Sequence, residues 1–164
     1  VLEYSDSDFI KLSDEIAMLE NYLSLQENAI AADFSFKIDC DPSISPEEIS
    51  IPVMLLQPFV ENAVIHGAKS RPENARVEVI FKRTKAKDKI AVEIIDNGTG
   101  IQNERGTLQH NKLHKSMGQD ILSERMKELK TINQIPIDLN IDNASDHKKF
   151  PGTRVSLIIP CVHL

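Results

Sequence analysis

The stretch LLQPFVENAVIHG, residues 55–67, decides how the rest of the chain is read. Its leucines, valines and phenylalanine ask for a core helix, yet Gln57, Pro58, Glu61, Asn62 and His66 interrupt it. Positions four apart share one side of a helix, so Pro58, Asn62 and His66 fall on one stripe. Leu55, Leu56, Phe59, Val60, Ala63 and Val64 cover most of the remainder. The polar stripe therefore faces something other than core. Pro58 lacks a backbone donor and is expected to bend the helix. Taken alone, Asn62 and His66 could equally be buried polar groups with ordinary hydrogen-bond partners.

Upstream, Ile16, Leu19, Tyr22, Leu23, Gln26 and Ile30 recur at three and four and predict a helix from about Ser13. FSFKID, residues 34–39, alternates as a half-buried strand does. DPSISPEEI breaks the chain with two prolines, and Ser45-Pro46-Glu47-Glu48 has capping-box spacing for a short helical turn. Pro52 is placed where the next helix could start. Downstream, RVEVIFKRT and KIAVEIID are β-branched runs around a polar KAKD and predict a hairpin. Lys82, Arg83, Lys85, Lys87 and Lys89 crowd its tip, and a solvated turn that discourages edge pairing accounts for them. Residues 97–118 form an unusually long loop. A helix follows from about Met117 to Lys130, supported by Ile121, Leu122, Arg125, Met126 and Leu129, and strands near 137–142 and 153–159 close the chain. Helices and strands do not strictly alternate, so the expectation is an α+β layer, a mixed sheet with helices on one face, rather than a doubly wound parallel sheet.

A chain of 164 residues with 41% hydrophobic and 27% charged side chains is ordinary for one globular domain with a real core. The net charge of -6 argues against a general nucleic-acid binder, which neutralises phosphates with excess Lys and Arg. No apolar run reaches the roughly 18 residues of a membrane span, and the acidic opening VLEYSDSDF is no secretion signal. A start at Val1 rather than Met reads as a piece of something longer. Cys40 and Cys161 are far apart without CxxC spacing, which suggests neither a zinc site nor a disulfide framework, and fits a reducing, cytoplasmic setting.

Two further stretches carry chemistry. In IIDNGTGI, residues 94–101, a strand delivers Asp96 at its end, and Gly98 and Gly100 let the backbone turn close to a ligand. A carboxylate held there can accept a hydrogen bond from an exocyclic amine and select adenine over guanine, because a buried acceptor left unpaired is costly. By itself, DNG is an ordinary turn. In KSMGQDILSERM, residues 115–126, Gly118 at a helix start exposes backbone N–H groups that suit phosphate, with Lys112, His114 and Lys115 just ahead. Alone, that is a loop with a few basic residues and a glycine.

Together, Asn62 within ENAVIHG, Asp96 to Gly100 in DNGTG, Gly118 and the terminal GTRVSLIIP resemble the N, G1, G2 and final boxes of the GHKL ATPase superfamily. LLQPFVENAVIHG, with LSDEIAMLENYLSLQ upstream and ERM after the glycine, is similar in particular to LytS-type sensor histidine kinases. The resemblance covers nearly the whole chain, from about Leu12 to Pro160. It implies a two-layer Bergerat fold with a mobile ATP lid, binding ATP and Mg2+, in the catalytic domain of a two-component kinase. Residues 12–164 would be that domain and residues 1–11 a remnant of the segment after the phosphoacceptor helix. By the same resemblance Asn62 would coordinate Mg2+ and Asp96 hold the adenine amine. Gly98 and Gly100 would admit the nucleotide, Gly118 and Lys115 would serve the phosphates, and Thr153 would support the adenine end. His66 would touch phosphate or ribose. Glu61 is a candidate orienting group, since the position four before Asn62, where related ATPases carry a glutamate, is Pro58.

The chain departs from the pattern at Ile65, where many relatives have a basic residue, and at Ser116, where a first glycine is common; slower ATP use would follow. Its histidines, 66, 110, 114, 147 and 163, lie in no context like the family's phosphoacceptor segment, expected upstream of Val1. The implied partners are that upstream dimerisation and phosphoacceptor segment and a response regulator. The full-length protein would be a homodimer, and could be anchored in the bacterial inner membrane. Two alternatives stay open: a GHKL ATPase or serine kinase of another branch, told apart by phosphoserine on a partner, and a nucleotide-binding interaction module without catalysis.

Overall fold

The computed structural model describes residues 8–29, 33–71, 73–101 and 135–164. Helix α1 spans Leu12–Ala29 and buries Leu12, Glu15, Leu19 and Leu23, one stripe at steps of three and four. Its first turn is fastened by the Ser13 amide, which donates to the Pro46 carbonyl at 3.0 Å.

A five-stranded sheet is built from β2 (Phe34–Cys40), β4 (Ala75–Arg83), β5 (Lys89–Asp96), β6 (Asp138–Asn143) and β7 (Thr153–Pro160). Its order is β2-β4-β5-β7-β6, with β2 parallel to β4 and the other pairs antiparallel. The expected mixed sheet is thus present. Period-two alternation separates its faces: Ala75, Val77, Val79 and Phe81 of β4 and Ile90, Val92 and Ile94 of β5 are buried. They join Leu19 and Leu23 of α1 and the apolar side chains of residues 55–64 in one core. The opposite face carries exposed pairs such as Arg76–Glu78 and Lys82–Glu93, which add little stability. At the hairpin tip Arg83 is also engaged, donating from Nε and Nη2 to the Ser43 carbonyl.

A second, three-stranded antiparallel sheet was not expected: β1 (Phe9–Lys11), β3 (Ile49–Pro52) and β8 (Val162–His163), in the order β1-β3-β8. Strands this short cannot display a period. Pro52 accordingly ends β3 instead of starting a helix, and it pairs with Phe9 at the strand end, where a missing N–H is tolerated.

Helix α2 begins only at Gln57 and runs to Asn62. Leu55 and Leu56 precede it and are still fully buried. Pro58 occupies the first turn, where a backbone N–H has no helical partner to lose, so it breaks no helical hydrogen bond. The chain then widens into a π turn, Ala63–Gly67, and tightens into a 3-10 turn, Ala68–Ser70. The single helix read from the sequence is three short helical pieces. The predicted helix 117–130 and the loop beyond residue 101, with Lys112, His114, Lys115, Ser116 and Gly118, lie outside the described residues.

Candidate functional site

Strand parity places the central carboxylate. Ile90, Val92 and Ile94 of β5 point into the core, and Asp96, two residues on, points the same way at the strand end, where it is 5% exposed. Its Oδ1 accepts from the Gly98 amide at 2.9 Å and the Thr153 amide at 3.3 Å, and the Thr153 hydroxyl also bonds the carboxylate. Burial pushes its pKa up to about 6, against the pull of these three hydrogen bonds. An ionised carboxylate offers about four acceptor positions, so three donors leave capacity for roughly one more.

Two glycines shape the surroundings. A Cβ on Gly67, at the end of the π turn, would overlap the Asp96 carboxylate. Gly152 has φ of +69°, a left-handed conformation in which a Cβ would also strike the Asp96 carbonyl. The Gly152 amide donates to the Gly98 carbonyl at 3.0 Å, which joins the turn after β5 to the start of β7. Gly100 lies beside Asn143, whose Oδ1 accepts the Ile101 amide at 2.9 Å.

Asn62 is half-buried at the end of α2, and His66 is exposed next to Gly67. Gly67, Gly98 and Thr153 surround the carboxylate directly, Gly100 lies against Gly152, and Asn62 and His66 sit on the helical segment that ends at Gly67. Glu61 turns elsewhere. It accepts from Gln57 Nε2 at 3.1 Å, and after burial its charge is the second cause raising the Tyr22 phenol, so it lies beside α1.

Among the described residues no three His, Cys, Asp or Glu side chains cluster as a metal cage. Mg2+ does not need one, since it is commonly held by one or two carboxylates and takes its other ligands from phosphate and water. Asn62 would offer a neutral carboxamide oxygen and leave charge neutralisation to the phosphates.

Sequence reasoning missed Gly67, Ser70, Asn143 and Gly152. Gly67 and Gly152 adjoin residues already singled out, His66 and Thr153, and a glycine beside a site residue is a signal of close approach. Ser70 and Asn143 carried no local signal.

Comparison with known proteins bears on this arrangement. No family model matches the chain. It is 28% identical over 160 residues to the sensor protein LytS of Staphylococcus saprophyticus, an alignment covering 97% of this chain and 26% of that protein. The mycobacterial sensor histidine kinase MprB superposes with a TM-score of 0.61 at 17% identity, covering 95% of this chain and 98% of that structure. In sequence the chain is similar to LytS-type sensor kinases, and its fold is that of histidine kinase catalytic domains. A structure of histidine kinase ThkA in complex with response regulator protein TrrA shares the fold, with a TM-score of 0.57 at 13% identity over 93% of this chain and 41% of that one. The chain spans about a quarter of the length of the LytS relative.

Proposed function

We propose that the chain is the ATP-binding catalytic domain of a two-component sensor histidine kinase, transferring the γ-phosphoryl group of Mg-ATP to a histidine outside this chain. The observation that carries the reading is Asp96, bedded against Gly67 at the end of the helical segment that bears Asn62. Bound Mg-ATP would supply the phosphoryl group and its charge-neutralising cation. Asp96 would accept the N–H of the adenine amine at its remaining acceptor position, and Thr153 would hold the carboxylate in place. Asn62 would offer its carboxamide oxygen to Mg2+, and His66 would lie on the phosphate or ribose side. Lys115 and Gly118 would serve the phosphates. Transfer of this kind depends on positioning and neutralisation more than on covalent chemistry.

Residues 12–164 would form the domain, and residues 1–11 would continue from a phosphoacceptor segment. That segment, in a homodimeric protein, would receive the phosphoryl group and pass it to a response regulator. The ThkA–TrrA complex supports this partner class.

The test is calorimetric titration with Mg-ATP. Binding heat in the native protein and a clearly weakened but measurable affinity in Asp96→Asn support the site; identical curves overturn it. Adding the upstream histidine segment with γ-labelled ATP then tests transfer. Acid-labile label on that histidine supports a kinase, and binding without label points to an interaction module.

A further inference from the structure

The hydroxyl of Ser70 bridges the two walls of the site. Its Oγ donates to the Gly67 carbonyl at 2.5 Å and accepts the Thr99 amide at 3.0 Å. Gly67 is the residue on which the Asp96 carboxylate rests, and Thr99 is the last position of the turn whose Gly98 amide holds Oδ1. The gap is so narrow that a Cβ on Gly98 would meet both the Gly67 carbonyl and Ser70 Oγ. The next residue reinforces the bridge: Arg71 Nη1 donates to the Asn97 carbonyl at 3.2 Å, and its guanidinium lies 5.0 Å from the Phe150 ring centroid.

We propose that Ser70 is a positioning residue for base recognition: its hydroxyl fixes the turn 97–99 against Gly67 and so aims the Asp96 carboxylate at the amine of a purine. Without the hydroxyl, Thr99 loses its acceptor and Gly67 the side-chain donor that ties it to the turn. The turn can then drift, and the Gly98 amide leaves Oδ1. Ser70 needs no contact with the nucleotide to act in this way.

This inference rests on the reading of Asp96 as the acceptor of the base amine, and its test separates the two. Binding of ATP and of purine riboside triphosphate, which lacks the 6-amino group, is measured for the native protein, Asp96→Asn, Ser70→Ala and Ser70→Thr. Amide exchange at Thr99 is followed in parallel. The expected result is that Ser70→Ala cuts the preference for ATP over the amine-less analogue by about fivefold, roughly the worth of one hydrogen bond. Thr99 exchange should accelerate, and Ser70→Thr should restore both. An equal loss of affinity for both nucleotides, or an unchanged preference, overturns the role of Ser70 while leaving Asp96 intact. A native protein with no preference, matched by Asp96→Asn, overturns the base assignment itself and Ser70's role with it.

Discussion

Gly67 and Asp96 are packed so tightly that any side chain on the glycine would occupy the space of the carboxylate. The smallest change, Gly67→Ala, must either expel the carboxylate from its three hydrogen bonds or shift the π turn that carries His66. Forced overpacking of this kind costs about 1–3 kcal/mol. Urea unfolding should show that loss, and Mg-ATP affinity should fall by at least tenfold, since the displaced group is the proposed base acceptor. An alanine variant with native affinity would mean that Asp96 does not contact the ligand.

The raised pKa of Asp96 gives a pH signature with a defined sign. In the unfolded chain the group titrates near 3.8, and in the fold near 6, because burial disfavours the charged form. The folded state binds the proton more tightly, so this group's contribution to stability is greatest below 3.8 and is lost as pH rises through 6. A shift of about two units corresponds to about 3 kcal/mol. Asp96→Asn should remove that slope between pH 4 and 6 in a series of denaturation curves. Nucleotide affinity should run the opposite way. It needs the ionised acceptor, and at pH 5 it should be about tenfold weaker than at pH 7. Asp96→Asn serves as the reference that cancels titration of the phosphates, and a flat ratio between the two proteins would refute the assignment.

How far the sequence could be read follows from element length. Helix α1, strand β2, the β4–β5 hairpin and strands β6 and β7 each run long enough to show a period, and each lies within a residue or two of its expected place. Strands β1, β3 and β8 are two to four residues long and show none. The region around Pro58 misled because a proline means one thing in the middle of a helix and another in its first turn, and only coordinates say where the turn begins. Asp96 was legible because it continues the inward parity of β5. Ser70 was not, because its two partners are a neighbouring carbonyl and an amide 29 residues away.

The chain by itself should bind Mg-ATP without labelling its own histidines. His147 Nδ1 accepts the amides of Lys149 and Phe150, and His163 Nε2 is 2.8 Å from the Lys87 carbonyl at the hairpin tip, at the far end of β5 from Asp96. One ring nitrogen of each is committed to backbone groups. His66 is exposed, yet it belongs to the proposed pocket wall and would lie alongside the phosphates rather than in line with one. Incubation with γ-labelled ATP followed by acid and base treatment should leave no acid-labile, base-stable label. Such label on any of the five histidines would contradict the division of labour between this domain and an external acceptor.

Among the described residues Glu15 is the other buried carboxylate, 2% exposed on the inner stripe of α1. Burial raises its pKa above 4.5, with no charged partner among the causes. Its place in the first helical turn favours a negative charge by about 0.3–1 kcal/mol at most exposed sites, but desolvation opposes this and prevails, as the direction of the shift shows. The charged form is therefore a liability in the fold. Its protonated form supports stability below 4.5, and that support fades as pH rises through the raised folded value. Glu15→Gln keeps the shape and removes the charge, so it should raise the unfolding midpoint at pH 7.5 by a few degrees and leave it nearly unchanged at pH 4. It should not alter Mg-ATP affinity. A glutamine variant less stable than the native protein at pH 7.5 would show that the ionised carboxylate serves the fold after all.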